Sequence, residues 1–347
     1  MMDTSGKTVE RKKTSTTSDD KVVKDTQQQQ QQTKKQALPV KKPNFIVACI
    51  LAMRPWSLTA GASCAMVGTA LANRFYDIYD PVTFAIVMVG AVSTQVFGNL
   101  INSYYDFASG VDQPQDAADR TMFDLGLTQK HVSTLIFMSL ISAFVSLCSL
   151  VYRMPPDVVV TQLLPLVMFG ALLTVAYTAA PFNLKYRGLG DVVIVICFGP
   201  LIIQGSFIAQ THFADNFVYL FSIPLALTIE GILHVNNTRD IVSDRRANAT
   251  TLANIIGHKN SLYFYIMLYV LAYGVQLYLS LQVGSNMINL PFIVVPKLFS
   301  TLIPKFKRGE FGDLVEQTAQ FSFFFGGLST VGILYSHLPF YASSSTL

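Results

Sequence analysis

"VTFAIVMVGAVSTQVFGNLINSYYDFASGVD", residues 82–112, contains no charged side chain until it reaches Asp106. An α-helix crosses the hydrocarbon core of a bilayer with about 20 mostly apolar residues. The stretch therefore predicts a transmembrane helix that ends in polar side chains. Similar apolar runs recur along the chain.

The composition favours a membrane protein with many spans. The chain has 347 residues, of which 51% are hydrophobic and 13% are charged. Soluble globular proteins carry about 25% charged residues. The fold class predicted is an all-α polytopic membrane protein. A net charge of +4 is too small to indicate a nucleic-acid partner.

The two ends of the chain differ in composition from the part between them. Residues 1–44 are rich in Lys, Thr, Asp and Gln, and include six consecutive glutamines at 27–32. Such a segment buries too little apolar surface to offset its ordering entropy, so we expect a disordered cytosolic tail. The predicted membrane domain covers 45–340, and a short C-terminal tail covers 341–347.

Apolar runs of membrane length predict about nine transmembrane helices. The eighth is the shortest, and it contains Pro291, Pro296 and Lys297. The predicted spans lie near 45–73, 82–107, 130–152, 159–180, 189–210, 216–237, 261–283, 287–304 and 319–340.

Basic residues predict the orientation of these helices. With the N-terminal tail in the cytosol, only Arg74 and Arg153 fall in loops on the opposite side. This bias follows the positive-inside rule and supports a cytosolic N-terminus. The basic residues of the predicted cytosolic loops are Arg120, Lys130, Lys185, Arg187, Arg239, Arg245, Arg246, Lys259, Lys305, Lys307 and Arg308.

Two groups of Asn and Asp residues follow predicted spans on the same, cytosolic side. Residues four apart share a helix face, and two opposed sets of carboxylates repel each other unless cations lie between them. Oxygen ligands without His or Cys are typical of Mg²⁺ bound together with substrate phosphates. The predicted metal ligands are Asn102, Asp106 and Asp112 in the first group and, within HVNNTRDIVSD at 234–244, Asn236, Asp240 and Asp244 in the second.

Basic side chains near these groups predict an anionic substrate. The loop YTAAPFNLKYRGLGD, residues 177–191, lies on the same predicted side as both groups. Arginine binds phosphate as a fork and lysine binds it as a point charge. Together with the apolar helices, these cations indicate an isoprenyl diphosphate. The candidate cations are Lys185, Arg187, Arg120, Arg239 and Arg54.

Other side chains near the motifs are candidates to face the substrate. Tyr105 and Tyr177 flank the motifs, and His234 follows Glu230 by one helical turn. Most tyrosines in transmembrane helices pack or anchor the interface, so this assignment competes with a structural one.

Three segments resemble the UbiA superfamily of intramembrane prenyltransferases: NLINSYYDFASGVD, AYTAAPFNLKYRGLGD and NNTRDIVSDRRANATTLA. They resemble its two Asp-rich motifs and the Tyr/Lys loop between them, and the resemblance extends from about Arg54 onward. Ser103 departs from the usual first motif, which has Asp at that position. The Tyr-Tyr-Asp and Gly-x-Asp elements resemble the branch that prenylates naphthoquinones.

The resemblance implies a UbiA-type helical bundle with its active site at the cytosolic rim. It implies that the six Asn and Asp residues hold Mg²⁺ against a diphosphate, and that Lys185, Arg187 and Arg120 neutralise the leaving group. Tyr177 would stabilise the cation-like allylic carbon, and Asp191 would orient Lys185 or assist deprotonation. The implied catalytic residues are Asp106, Asp112, Asp240, Asp244, Lys185 and Tyr177; the implied substrate-binding residues are Asn102, Asn236, Arg187, Arg120, Arg239, Arg54 and Tyr105.

The expected activity is transfer of a geranylgeranyl group to menadiol, which makes a menaquinone (vitamin K). A 4-hydroxybenzoate acceptor, as in ubiquinone synthesis, is the nearest alternative. A lipid transporter and a regulatory binder of the sterol pathway are the others. The family resemblance implies binding to the sterol-regulated reductase of the mevalonate pathway. The expected location is the endoplasmic reticulum or Golgi, with a mitochondrial membrane as the alternative.

Overall fold

The computed structural model describes residues 43–108, 110, 121–179 and 181–336. Residues 1–42 of the predicted tail and the predicted C-terminal tail lie outside the described residues, and so do Asp112 and Arg120. The described residues form helices and no strand. The main helices are α1 (Phe45–Ala52), α2 (Pro55–Tyr76), α3 (Pro81–Ala108), α4 (Gln129–Arg153), α5 (Pro156–Thr178), α6 (Gly190–Thr211), α7 (Phe217–Arg239), α8 (Ile241–Arg246), α9 (Leu252–Val283), α10 (Asn286–Arg308) and α11 (Leu314–Leu334).

The helices match the predicted all-α membrane fold. Within the described ranges, seven are long and apolar enough to cross a membrane, and the bent pair α1 and α2 makes up to eight. Helix α11 has 21 residues and takes the place of the ninth predicted span. Each predicted span therefore corresponds to one helix or one bent pair.

Two boundaries differ from the sequence prediction for local reasons. Helix α9 begins at Leu252, earlier than the predicted 261, and its backbone is non-helical at Gly257, where φ is 75°. Polar residues follow this break, so the apolar run used to predict the span did not include the first turns of the helix. Helix α11 lies several residues earlier than the predicted 319–340.

Prolines account for the irregular helices. Pro55 occupies the first turn of α2, where its missing N–H leaves no hydrogen bond unmade. Helices α1 and α2 meet there at 51°. Helix α10 begins as a 3₁₀ segment that contains Pro291 and later passes through a π-helical turn, Leu298–Leu302.

Small residues bring the central helices close together. The Cβ of an alanine at Gly68 of α2 would fall on the carbonyl oxygen of Ile203 in α6. At Gly326 of α11 it would lie 2.6 Å from the Cβ of Ser63. Close approach at small residues is the usual way that helices pack in a membrane. These contacts place α2 between α6 and α11.

Asp80 anchors the end of α3 that lies away from the Asn/Asp motif. Its carboxylate accepts hydrogen bonds from the Thr83 hydroxyl, at 2.6 Å, and from Arg153 at the end of α4. The pKa of Asp80 is lowered from 3.8 to about 2, and the hydrogen bond from Thr83 is the largest cause. Hydrogen bonds from Arg153 and from the backbone add to this lowering. The interaction holds the α3 and α4 ends together.

Acid should remove this stabilisation. Because the folded pKa of Asp80 lies below its ordinary value, the contribution is complete above about pH 4 and is lost as the pH falls through about 2. We expect Asp80→Asn to lower the thermal unfolding midpoint at neutral pH, and the difference from wild type to shrink between pH 4 and pH 2. Fluorescence-monitored unfolding in detergent measures both. A constant difference across this range would contradict the assignment.

Candidate active site

The first Asn/Asp group lies on the last two turns of α3, around a buried lysine. The Lys185 ammonium donates to the Asp106 carboxylate at 2.6 and 2.8 Å and also to the Asn102 side-chain oxygen. The Asn102 amide donates to Asp106 at 3.1 Å. Lys185 and Asp106 are 8% and 9% exposed, so this ion pair is largely shielded from solvent.

Tyr186 completes this group and was missed in the sequence. Its hydroxyl donates to Asp106 at 2.5 Å, and the Lys185 ammonium lies 4.4 Å from the centre of its ring. The residue stands between two cations, Lys185 and Arg187, that drew attention by their charge. No spacing pattern in the sequence marks a tyrosine inside a basic loop as a site residue.

We expect Tyr186→Phe to weaken catalysis while keeping the ring beside Lys185. A hydrogen bond to a charged group contributes about 1.5–3 kcal/mol, so kcat/KM for the isoprenyl diphosphate that the sequence predicts should fall roughly 10- to 100-fold. Steady-state assays on purified protein test this. Tyr152→Phe, at a position 92% exposed, should leave kcat/KM unchanged. Equal kcat/KM values for Tyr186→Phe and wild type would show that the Tyr186 hydroxyl does not contribute to catalysis.

Ser103 occupies the position at which the superfamily motif has Asp. Its hydroxyl accepts a hydrogen bond from Arg54 at 3.2 Å and donates to the Asn99 carbonyl at 3.1 Å. Arg54 adopts the left-handed conformation, with φ 55°, at the bend between α1 and α2. The bend directs this guanidinium towards the first Asn/Asp group.

The second Asn/Asp group spans a break between two helices. Helix α7 ends at Arg239, and α8 begins after Asp240, whose φ of −95° and ψ of 6° mark the break. The sequence predicted one helix here. The backbone N–H of Asp240 still donates to Asn236, and that of Asp244 to Asp240, so the spacing of four survives.

Arg239 neutralises the second group as Lys185 neutralises the first. Its guanidinium donates to both carboxylate oxygens of Asp240, at 2.8 and 2.9 Å, and to Asn236 at 2.7 Å. Asp244 is 9% exposed. Each group thus presents amide and carboxylate oxygens to a cation from the protein itself.

Backbone hydrogen bonds join the lysine loop to the segment that follows α8. The Gly188 N–H donates to the Thr250 carbonyl at 2.7 Å, and the Thr250 N–H donates to Tyr186 at 3.2 Å. Arg187 and Thr250 form an isolated parallel bridge. The loop that carries Lys185 is therefore attached to the chain that carries Asp240 and Asp244.

Both groups open into one cavity of about 550 Å³. Its polar end is formed by the two motifs with Lys185 and Tyr186, and its walls combine apolar side chains of α6 and α7 with polar ones of α2 and α3, such as Ser57, Gln95 and Asn99. The α6 wall includes a π-helical turn, Cys197–Leu201, around Pro200. Such turns are frequent at functional sites. The apolar wall residues include Val193, Ile194, Phe198, Ile202, Ile229, Ile232 and Leu233.

Most of the predicted site residues that the structure describes line this cavity. Tyr105 does not: it is 42% exposed and packs edge-on against Tyr104. Arg187 donates instead to the Pro181 carbonyl at 2.7 Å, and His234 is buried behind the wall. The predicted residues at the cavity are Arg54, Asn102, Asp106, Tyr177, Lys185, Asn236, Arg239, Asp240 and Asp244.

Solved structures share the fold. A UbiA homolog from Aeropyrum pernix K1 aligns with a TM-score of 0.61 at 15% identity, over 80% of this chain and 96% of its own. A UbiA homolog from Archaeoglobus fulgidus, described as bound to GPP and Mg²⁺, aligns with a TM-score of 0.55 at 14% identity, over 81% and 99%.

Sequence comparisons extend the similarity to eukaryotic relatives. The UbiA prenyltransferase domain-containing protein 1 of Dictyostelium discoideum is 47% identical over 304 residues, 87% of this chain and 91% of the relative. The Homo sapiens protein of the same name is 34% identical over 286 residues, 82% of each chain. The UbiA prenyltransferase family matches residues 56–328. The chain therefore belongs to the UbiA prenyltransferase family.

Proposed function

We propose that this prenyltransferase moves an isoprenyl group from its diphosphate to a reduced naphthoquinone ring, with Mg²⁺ bound at the rim of the cavity. The observation that carries the proposal is the convergence of two Asn/Asp motifs on the polar end of a cavity that apolar side chains of α6 and α7 also line. A diphosphate suits that end, and an isoprenoid chain suits the walls. Geranylgeranyl is the expected chain and menadiol the expected acceptor.

The donor chemistry of the rim fits Mg²⁺. Its candidate ligands are amide and carboxylate oxygens, which hard cations prefer. Oxygens of both motifs already accept hydrogen bonds from cationic groups, those of Lys185 and Arg239. The Archaeoglobus fulgidus structure described with GPP and Mg²⁺ supports the same choice. The ion would be held by Asn102, Asp106, Asn236, Asp240 and Asp244, together with Asp112 from the sequence motif.

The bound metal would act as a Lewis acid that stabilises charge on the leaving diphosphate. Lys185, Arg239 and Arg54 would bind the remaining diphosphate oxygens, because they line the same end. The allylic C–O bond breaks and its electron pair leaves with the diphosphate. The aromatic ring then forms a C–C bond to that carbon and loses a proton. Tyr177, which also lines the cavity, would face the cation-like carbon.

The motif details support a naphthoquinol acceptor. The Tyr-Tyr-Asp sequence around Asp106 and the Gly-Val-Asp sequence that ends at Asp112 resemble the naphthoquinone branch of the superfamily. A 4-hydroxybenzoate acceptor is the second candidate. The cytosolic N-terminus, the endoplasmic reticulum or Golgi location and the partnership with a sterol-regulated reductase are further proposals, which the positive-inside bias and the family resemblance support.

An assay with defined substrates tests the reaction. Purified full-length protein in detergent or nanodiscs would receive geranylgeranyl diphosphate with menadiol or 4-hydroxybenzoate, with Mg²⁺ or with excess EDTA. Mass spectrometry would detect the products. We expect a prenylated naphthoquinol only in the presence of Mg²⁺, and much less product from 4-hydroxybenzoate.

Each possible outcome tests a different part of the proposal. Preferred prenylation of 4-hydroxybenzoate would overturn the acceptor and keep the reaction class. Equal product with EDTA would overturn the metal requirement. No product from either acceptor, with chain lengths from dimethylallyl to geranylgeranyl, would overturn the activity.

A further inference from the structure

Three buried ionisable side chains meet outside the set of residues that lines the cavity. Asp191 lies in the first turn of α6, and Glu230 and His234 lie one turn apart on α7. They are 5%, 1% and 0% exposed. Their neighbours along the chain line the cavity, whereas these three are not among its lining residues. The proposed prenyl transfer does not use the cluster as a metal site.

Five polar atoms of this cluster have no hydrogen-bond partner within the described part of the chain. They are both carboxylate oxygens of Asp191, both of Glu230, and Nδ1 of His234. One ligand atom from each residue lies within 4.8 Å of the others. A buried charge without a partner costs several kcal/mol. Two neighbouring carboxyl groups in this position therefore need either protons or a bound cation to neutralise them.

The histidine ring is oriented as a ligand. Its Nε2 lies 3.1 Å from the Ser261 carbonyl oxygen, which only accepts hydrogen bonds, so Nε2 carries the proton. In the neutral ring this leaves a lone pair on Nδ1, which lies 3.5 Å from Asp191 Oδ1. Facing lone pairs repel, whereas a cation between them binds both. Metal-bound histidines usually donate their other ring N–H in this way.

Aromatic packing fixes the ring in this orientation. The His234 ring packs on Phe264, with centroids 4.6 Å apart, and stacks on Phe306 with an angle of 11° between the planes. Both phenylalanines restrict rotation of the ring. The Nδ1 lone pair is therefore held towards the carboxylates before any ligand binds, which lowers the entropic cost of binding.

Charge and geometry both suit a divalent ion. When both carboxyl groups are ionised and the imidazole is neutral, the cluster carries a charge of about −2, which a divalent cation balances. Two ligand atoms 3.5 Å apart, each about 2.1 Å from a shared ion, subtend about 110° at it, close to a tetrahedral angle. One nitrogen and several oxygens are typical ligands of zinc, manganese and iron.

We propose that Asp191, Glu230 and His234 hold one divalent transition-metal ion of the zinc class, distinct from the Mg²⁺ of the rim. The ion joins the beginning of α6 to the end of α7. A Cβ at Gly190 would lie 3.2 Å from Lys185 Cα and 3.4 Å from the Tyr177 ring. Gly190 is next to Asp191 in the chain, so the ion fixes the backbone against which Lys185 and Tyr177 pack.

Metal content tests the site separately from activity. The rim is first disabled in an Asp106→Asn/Asp240→Asn background of the full-length protein. The protein is stripped with EDTA, loaded with Zn²⁺ in excess Mg²⁺, desalted and measured by elemental mass spectrometry. We expect about one Zn²⁺ per chain. Loading with Co²⁺ instead should give the visible d–d absorption of a low-symmetry site.

Glu230→Gln and His234→Gln in the same background remove one ligand each. We expect the Zn²⁺ affinity to fall by more than about 100-fold, because loss of an outer partner alone costs about 10- to 100-fold. Matched controls are Glu316→Gln and His258→Gln, which change the same residue types outside the cluster and should keep the ion. Zn²⁺ should raise the thermal unfolding midpoint of the background protein but not of the two ligand variants.

Three results would overturn the site. They are a stripped background protein that takes up no Zn²⁺ or Co²⁺, one that exchanges its Zn²⁺ completely for Mg²⁺, and ligand variants that retain the ion. If no ion is taken up, protons neutralise the carboxyl groups of the cluster. If the ligand variants do not fold, the Zn²⁺ stoichiometry and the Co²⁺ spectrum of the background protein decide the question. Prenyl transfer enters none of these measurements, so failure of the proposed function leaves this test intact.

Discussion

Asp106→Asn should reduce prenyl transfer by on the order of 10²- to 10³-fold, the loss that follows when one preorganised electrostatic group leaves an active site. The change keeps the shape of the side chain and removes its charge. Asp106 is the carboxylate that Lys185, Tyr186 and Asn102 all contact. The variant thus loses the metal ligand proposed above and the carboxylate to which Lys185 donates.

The expected kinetic pattern separates these roles. Loss of a Mg²⁺ ligand should raise the Mg²⁺ concentration needed for half-maximal rate. Loss of an interaction that is made only in the transition state should lower kcat and kcat/KM together. Titration of Mg²⁺ at saturating diphosphate, followed by mass spectrometry of the product, measures both effects.

Asp80→Asn is the matched control, since it makes the same change at the opposite end of the same helix. We expect it to affect stability at neutral pH and to leave the rate per folded molecule unchanged. Activity of Asp106→Asn within about threefold of wild type would contradict its role, because a charged hydrogen bond alone is worth about 1.5–3 kcal/mol.

Gly68→Ala should destabilise the helical bundle, although it adds a single methyl group. The new Cβ would overlap the Ile203 carbonyl oxygen and lie 2.7 Å from the Ser206 Cβ. Neither neighbour is the far end of a flexible side chain, so two helices must separate. Overpacking of this kind costs about 1–3 kcal/mol. The measurement is the thermal unfolding midpoint in detergent.

Gly274→Ala provides the control with the opposite sign. Gly274 also lies inside a helix, α9, and a Cβ there meets nothing within 4 Å. Alanine is favoured over glycine in a helix interior by about 1 kcal/mol. We expect this variant to be as stable as wild type or more stable. A Gly68→Ala protein as stable as Gly274→Ala would show that the α2 and α6 contact tolerates expansion.

The helices were predictable because membrane length and apolar composition are local properties. Each predicted span found its helix, even where Pro291 and Pro296 made α10 irregular. Boundaries were harder where polar residues enter a helix. Helix α9 begins before His258 and Lys259, which an apolar window excludes. The break at Asp240 depends on backbone geometry that its residue type does not specify.

The rim was predictable where chemistry follows a spacing. Asn and Asp four residues apart marked both motifs, and the structure places them around one cavity. Arg187 was chosen by charge alone, and it turns away towards Pro181. Tyr186 and the grouping of Asp191 with Glu230 and His234 depend on contacts between distant segments. Such contacts leave no periodic signal in a single chain.

The backbone bridge between Gly188 and Thr250 constrains how the cavity can admit a substrate. It joins the backbone of the lysine loop to the segment that follows the second carboxylate motif, so we expect these two parts to move together. Side-chain hydrogen bonds from Lys185 and Tyr186 connect them to Asp106 of α3. We expect an anionic substrate that draws Lys185 away from Asp106 to loosen this connection between α3 and the lysine loop as it enters.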